Sequence, residues 1–188
     1  MKSEAILGEA FAADPLMTHA FGADAAAAGI ARLLAPAVAA CRRHGGVLAE
    51  DGAAAAWLPG ALVPLPWGAW LRAGFGGLAL ALPLATLLRL QRHEATCEAA
   101  IRARFGPDRF GYLWLLGVVP AARGHGVGRR IVTSVLGAMA GKLDLCVLKT
   151  ENPSSARFYA QLGFAVHDRF RVPASGLEVQ VLARTLRI

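Results

Sequence analysis

Cysteine is scarce in this chain. Cys41, Cys97 and Cys146 are the only three in 188 residues, and they lie far apart with no CxxC pair. This spacing therefore argues against a disulfide framework and against a zinc site made from cysteine pairs. We expect reduced thiols, which are typical of a cytoplasmic protein. Cys41 and His44 could begin a metal site, but no second ligand pair follows them, so we expect no metal.

The chain also lacks an uncharged run of membrane-spanning length. A spanning helix needs about 20 apolar residues, whereas the uncharged stretch 73–88 is shorter and contains Pro83 and three glycines. Glu4, Glu9 and Asp14 interrupt the N-terminus, so no secretory signal is predicted. We expect 73–88 to be a buried or groove-lining helix, without stable membrane insertion.

What the chain has in quantity is apolar side chains and positive charge. Apolar residues make up 55% of it, and the formal net charge is +7. This length and composition suit one domain, residues 1–188, with a substantial core. The 20 basic residues are spread along the chain, and no nucleic-acid-binding motif accompanies them. The charge therefore favours a small anionic ligand, such as a nucleotide or CoA, and not nucleic acid.

Periodicity and turn signals predict alternating helices and strands. Helices are predicted over 3–13, 25–43, 84–105, 126–141 and 154–162, and strands over 47–50, 53–58, 110–119, 143–148, 164–172 and 177–185. The Asp51-Gly52 pair predicts a hairpin between the first two strands. Prolines and glycines punctuate residues 60–106, where helices broken by turns are expected.

The segment 123–130 carries the strongest chemical signal. It reads RGHGVGRR between a predicted buried strand and a predicted amphipathic helix. Alternating glycines let the backbone approach a ligand closely, and the free N–H groups of a helix start attract a diphosphate. Arg123, Arg129 and Arg130 add charged donors. A loop that only caps its helix remains the alternative.

Other phosphate loops do not match this segment. A Walker loop needs a lysine followed by serine or threonine, where Arg129 and Arg130 stand. The dinucleotide fingerprint needs a third glycine at Arg129 or Ile131. Both loop types are therefore excluded by particular residues.

Two motifs resemble the GNAT superfamily of N-acetyltransferases. Arg123-x-x-Gly126-x-Gly128, which follows Val118-Val119-Pro120, resembles the acetyl-CoA signature of that family. Asn152 and the block FYAQLGF at 158–164 resemble its second signature, with Ser155 in place of the usual alanine. The order of the whole chain also resembles the puromycin-acetyltransferase-like branch.

The resemblance implies a mixed α/β (α+β) fold. Its central sheet would be mostly antiparallel and flanked by helices, and the usual first strand would be missing or very short. A helical insert, 60–106, would lie between the third and fourth strands and wall the acceptor site. Acetyl-CoA is the implied co-substrate. The implied cofactor-binding residues are Val118, Val119, Arg123, Gly124, His125, Gly126, Val127, Gly128, Arg129, Asn152 and Ser155.

The resemblance also implies roles in catalysis. The Val118 N–H would polarise the acetyl carbonyl through a strand bulge eased by Gly117. Tyr159 would protonate the departing thiolate, and Asn152 would contact the cofactor arm. Without the resemblance, Tyr159 is simply an aromatic residue on a helix face and Asn152 a turn residue before Pro153.

No general base is identified from the sequence. The strand before the turn contains no carboxylate, and Glu94, Glu98 and His93 can equally belong to a solvated helix face. Glu50 and Asp51 are candidates of similar standing. Proton removal through ordered water is the remaining alternative.

The acceptor is predicted from the early helices and the insert. Phe21, Trp57, Trp67, Trp70 and Phe75 would form an apolar wall, although each also suits a core. We expect a small-molecule primary amine on an apolar or aromatic body. A protein amine, a homodimer and a catalytically inactive CoA-binding sensor or interaction module remain open.

Overall fold

Six strands form one mixed sheet in the computed structural model, which describes residues 2–22, 26–106 and 109–186. The strands are β1 Gly46–Glu50, β2 Ala53–Pro59, β3 Phe110–Val118, β4 Leu145–Thr150, β5 Ala165–Arg171 and β6 Glu178–Thr185. Their order across the sheet is β1-β2-β3-β4-β6-β5. Only β3 and β4 are parallel, and every other neighbouring pair is antiparallel. The expected mostly antiparallel sheet is confirmed.

Eight α-helices surround the sheet in the described ranges. They are α1 Ser3–Ala10, α2 Pro15–Phe21, α3 Ala27–His44, α4 Trp67–Arg72, α5 Leu78–Ala81, α6 Leu84–Phe105, α7 Val127–Met139 and α8 Pro153–Ala160. The predicted helix 84–105 is confirmed with its bounds. The predicted helix 25–43 corresponds to α3, but residue 25 lies outside the described residues.

The N-terminal region differs from the expectation of one helix over 3–13. Helix α1 ends at Ala10, and Asp14 begins α2. The Asp14 carboxylate accepts a hydrogen bond of 2.9 Å from the Leu16 N–H, and Pro15 occupies the first helical position. Asp-Pro is therefore a start signal here as well as a stop, because aspartate caps a helix and proline needs no N–H partner there.

The hairpin and the insert follow the sequence. Asp51 (φ 43°) and Gly52 (φ 80°) turn β1 into β2 in left-handed conformations, as the Asp-Gly pair predicts. The insert 60–106 joins β2 to β3 and contains α4, α5 and α6. The described residues before β1 contain no strand, so the insert lies between the second and third strands of this sheet, one number lower than the resemblance implies.

Helices pack on both faces of the sheet. Along β2, the buried Ala54 and Ala56 share a hydrophobic cluster with α1, α2 and α3, whereas Ala53 and Ala55 share another with α7 and α8. Alternate residues of a strand point to opposite faces, and four successive small side chains let helices approach from both sides. Helix α6 forms a third cluster with β3, β4 and β6.

The two parallel strands diverge along their length. Pairing between β3 and β4 covers Phe110 with Leu145, Gly111 with Cys146 and Tyr112 with Val147. Both strands continue, to Val118 and Thr150, without further pairing to each other. A wedge-shaped gap therefore opens in the middle of the sheet, and its wide end faces the turn before α7.

The core predicts a stability difference between two substitutions. Ile131→Ala removes a fully buried side chain from the α7 face, so we expect urea denaturation to show a loss of about 2 to 5 kcal/mol in unfolding free energy. Val166→Ala, at a site 39% exposed on β5, should change it by less than about 0.5 kcal/mol. Equal losses in the two variants would contradict this description of the core.

Candidate active site

A cavity of about 1160 Å³ lies at the wide end of the wedge. Its wall combines the end of β3, the glycine turn, α8, the α1–α2 link and the insert. Tyr159, Asn152 and Ser155 line it, as do Val118 and most of the glycine turn. Val119 and His125, also expected at the site, are not among the lining residues. The sequence-predicted positions thus largely converge on one cavity.

The glycine turn presents free backbone N–H groups to this cavity. Gly124 (φ 81°) and Gly126 (φ 74°) adopt left-handed conformations that glycine tolerates without strain. The first helical hydrogen bond of α7 joins the Arg130 N–H to the Gly126 carbonyl at 3.1 Å. The preceding N–H groups, of Val127, Gly128 and Arg129, have no partner within the described chain. Such donors, together with the helix dipole, can hold an anion.

The three arginines of the turn differ in what their side chains contact. Arg123 donates to the Val118 carbonyl at 3.1 Å and to the Ala10 carbonyl at 3.2 Å, which ties the turn to the end of α1. Arg130 donates to the His125 carbonyl and pairs with Asp51. Arg129 is exposed, lines the cavity and has no described ion pair. It is therefore the guanidinium best placed for an anionic ligand.

The backbone of Val118 faces the gap. The Val119 N–H donates to the Gly52 carbonyl, on the β2 side, at 2.9 Å. Neighbouring N–H groups of a strand point to opposite edges, so the Val118 N–H points into the gap. The bulge expected at Val118 lies elsewhere in β3. Ala56 pairs with Leu115 and Trp57 pairs with Leu113, so Trp114 is the unpaired residue of the bulge. That bulge lies further from the turn and bends β3 where it separates from β4.

Tyr159 and Asn152 enter the cavity from α8. Tyr159 is buried against the edges of Phe158 and Phe164, with ring centroids 5.3 and 5.5 Å away. Burial raises the pKa of Tyr159 far above its usual range, so the phenol keeps its proton at neutral pH. The Asn152 side chain accepts hydrogen bonds from the Ser154 N–H and hydroxyl, and so caps α8.

A buried charged cluster forms another part of the wall, and sequence reasoning largely missed it. Lys149 pairs with Glu151 at 2.7 Å and with Glu94 at 2.9 Å. His93, completely buried, bridges Glu151 (2.9 Å) and Ser175 (2.8 Å). The sequence did contain one indication of the cluster: Lys149 and Glu151 stand where a predicted buried strand ends, next to Asn152.

Within the described residues, the same cluster contains a group of three side chains that could in principle hold a metal ion. Ligand atoms of His93, Cys97 and Glu151 lie within 4.8 Å of one another. The Lys149 ammonium touches Glu151, however, and a divalent cation there would meet that positive charge. The three side chains are therefore better described as a hydrogen-bonded network around Lys149.

Carboxyl groups of the cavity wall titrate at different pH values. Burial raises the pKa of Asp14 to about 6 and that of Glu98 to about 7, with neighbouring glutamates adding to the effect. Burial alone would raise the pKa of Glu151, but the Lys149 ammonium and His93 lower it to about 2. Glu94 and Glu98 both line the cavity, whereas Glu50 and Asp51 lie outside it.

The apolar wall is only partly the predicted one. Trp70 and Phe75 line the cavity, and Trp114 and Phe11 join them. Phe21, Trp57 and Trp67 do not line it. Trp57 instead covers Gly46, where an added Cβ would lie 2.0 Å from the indole ring. Trp114 was missed because its exposure to the cavity depends on the bulge.

The pKa of Glu98 predicts a pH-dependent effect on stability. A folded-state value near 7 against an ordinary 4.5 means that its stabilising contribution is present below pH 4.5 and is lost as the pH rises through 7. Glu98→Gln should therefore raise the unfolding free energy at pH 8 by about 1 to 3 kcal/mol and leave it unchanged at pH 4. Denaturant titrations at both values check this, with the exposed Glu178→Gln as control. A pH-independent effect would contradict the assignment.

Comparison with known proteins adds a family match and a shared fold. The sequence model of the acetyltransferase (GNAT) family matches residues 90–164. A mycothiol acetyltransferase of Amycolatopsis mediterranei is 37% identical over 68 residues, which are 35% of this chain and 23% of that protein. A second, of Kineococcus radiotolerans, is 42% identical over 60 residues, which are 31% of this chain and 20% of that protein. The chain thus matches less than a quarter of either relative's length.

A solved structure of an agmatine N-acetyltransferase has a TM-score of 0.51, with 18% identity, and the match covers 74% of each chain. That likeness concerns the fold alone. Together with the two sequence signatures, the match over residues 90–164 supports a GNAT-type acetyltransferase domain in this chain.

Proposed function

We propose that this protein transfers an acetyl group from acetyl-CoA to the primary amine of a small cationic molecule with an apolar body. The observation that carries the proposal is a single cavity into which four features open: the wedge between β3 and β4, the free N–H groups of α7, the Val118 edge and Tyr159. Each feature matches one requirement of thioester aminolysis.

The donor half of the site suits CoA. The diphosphate would lie at the start of α7, where the Gly128 and Arg129 N–H groups and the Arg129 guanidinium supply donors. The amide-bearing arm of CoA would enter the gap beyond Tyr112, because the facing strand edges have no pairing there. Asn152 and Ser155 lie along this path on the cavity wall.

The reaction follows from the groups around the gap. The amine nitrogen attacks the thioester carbonyl carbon, and the oxygen that gains negative charge accepts a hydrogen bond from the Val118 N–H. The carbon–sulfur bond breaks, and Tyr159 gives its proton to the departing thiolate. The proton lost by the amine passes to Glu98, whose pKa near 7 suits a general base at neutral pH. Water in the open cavity then carries that proton from Glu98 to Tyr159.

The charge of the cavity favours a cationic acceptor. Asp14, Glu94, Glu98 and Glu151 line it around the Lys149 ammonium, whereas Arg123 and Arg129 line it at the glycine turn. Carboxylates therefore outnumber that ammonium inside a chain whose net charge is +7. Such a wall attracts an alkylammonium and gives it a proton acceptor, while Trp70, Phe75 and the leucines of the insert suit an apolar body. The neighbour named as an agmatine N-acetyltransferase makes agmatine the first acceptor to test.

A CoA-binding sensor without catalysis is the second candidate. It is favoured by one observation, that β3 contains no carboxylate beside the acetyl position. Tight CoA binding without acetyl transfer to any amine of a broad library would support it over the enzyme.

The proposed role of Tyr159 as proton donor predicts that losing its hydroxyl slows turnover more than losing the hydroxyl of another buried tyrosine. Tyr159→Phe should reduce kcat for thiol release from acetyl-CoA about 100-fold, because the thiolate loses its proton donor. Tyr112→Phe is the matched control: it removes the same atom from a buried tyrosine outside the cavity and should leave kcat within about twofold. Equal losses in both variants would refute the role of Tyr159.

The anion site predicts an effect on CoA affinity. Arg129→Ala should weaken CoA binding about tenfold by calorimetry, since an unpaired guanidinium at the turn is removed. Gly126→Glu should abolish detectable binding, because it adds strain at φ 74° and a negative charge. Lys142→Ala, which removes an exposed charge outside the cavity, serves as control. Unchanged affinity in both turn variants would show that CoA binds elsewhere.

A further inference from the structure

Exposed apolar side chains are concentrated in one part of the insert. Among the described residues, six large apolar side chains are exposed, and five belong to residues 67–88. They are Trp67 (69%), Leu71 (50%), Leu80 (95%), Leu84 (66%) and Leu88 (43%), and the sixth is Val166 (39%). Scattered exposed residues are ordinary, but such a concentration marks a contact surface. The expectation of a buried or groove-lining stretch over 73–88 holds for residues such as Phe75, Leu78 and Leu84, which line the cavity, but not for Leu80, which is exposed outside it.

This surface borders the cavity. Leu84 and Leu88 are both exposed and line the cavity. A row of stacked rings leads inward from the surface: Trp67 on Trp70 at 4.8 Å, Trp70 on Phe75 at 5.4 Å, and Phe75 on Trp114 at 6.3 Å. The apolar surface is therefore continuous with the acceptor side of the cavity.

The charged residues within this segment have one sign. Residues 60–92 contain Arg72, Arg89 and Arg92 and no aspartate or glutamate. Arg89 donates to the Ala20 carbonyl, and the exposed Arg72 and Arg92 have no described ion pair. The surface thus combines tryptophan and leucine side chains with unpaired guanidinium groups.

We propose that residues 67–92, the rim of the cavity, dock on the surface of an anionic lipid bilayer. Tryptophan and leucine side chains enter the headgroup boundary, and arginines bind lipid phosphates, in the manner of peripheral membrane proteins. No helix in the described ranges is long and apolar enough to cross a membrane, so the contact proposed here is with the bilayer surface. Docking places the cavity mouth at the lipid surface.

A second copy of the chain fits this surface less well. A two-fold contact brings the same patch of each copy together. Arg72, Arg89 and Arg92 of one copy would then face those of the other, and the segment offers no carboxylate to pair with them. Phosphate headgroups supply the missing negative charge.

The test uses vesicle sedimentation with the full chain. Binding is compared on phosphatidylcholine vesicles with and without phosphatidylglycerol. Leu80→Asp should weaken binding to the anionic vesicles at least about tenfold, because the most exposed leucine no longer enters the lipid. Arg72→Glu should weaken it more than about fivefold, because an attraction becomes a repulsion. Neither residue lines the cavity.

Matched controls separate the surface from general effects. Val166→Asp changes an exposed apolar residue on β5, and Lys142→Glu reverses a charge outside the insert. Both should bind the anionic vesicles within about twofold of the unchanged chain. The proposal is overturned if the chain ignores anionic vesicles, or if Leu80→Asp binds them as well as Val166→Asp. It is also overturned if sedimentation without lipid shows a dimer that Leu80→Asp dissociates.

Discussion

The divergence of β3 and β4 is the constraint on which the site depends. The two strands pair only through the first residues of β3, so the sheet is held together at one end and opens at the other. Everything chemical lies at the open end: the Val118 edge, the start of α7 and Tyr159. A fully paired sheet would satisfy more backbone groups but would leave no place for an extended ligand.

Several features of the fold could be predicted from residues that are neighbours in the sequence. The Asp51-Gly52 hairpin, α6 and the glycine turn follow from residues adjacent in the chain, and the structure contains all three. The bulge at Trp114 was not predictable, because it depends on how two strands with nearly continuous apolar sequences align. Helix α2 was missed for a different reason, since Asp14-Pro15 can end one helix and begin another.

The acceptor side was less predictable because its residues come from distant segments. Asp14 belongs to the α1–α2 link, Glu98 to α6 and Lys149 to β4, and no spacing in the sequence relates them. Only packing of α6 against the sheet shows that Glu98 faces the cavity rather than solvent. The position of Arg123 has a similar cause: its contact with Ala10 joins residues 113 apart in the sequence. The proposed donor half thus follows from sequence signatures, whereas the proposed acceptor half depends on the fold.

The most direct test of CoA binding in the wedge is to map which backbone amide signals shift when CoA is added. In two-dimensional amide NMR of the labelled chain, added CoA should shift the Val118 signal and those of residues 126–129 saturably, while signals from the β5–β6 hairpin stay in place. The first set comprises the Val118 N–H, which faces the gap, and the turn into α7, where the N–H groups of Val127, Gly128 and Arg129 have no partner in the described chain. Saturable shifts that spare Val118 and residues 126–129, or no shifts at all, would contradict CoA binding in the wedge.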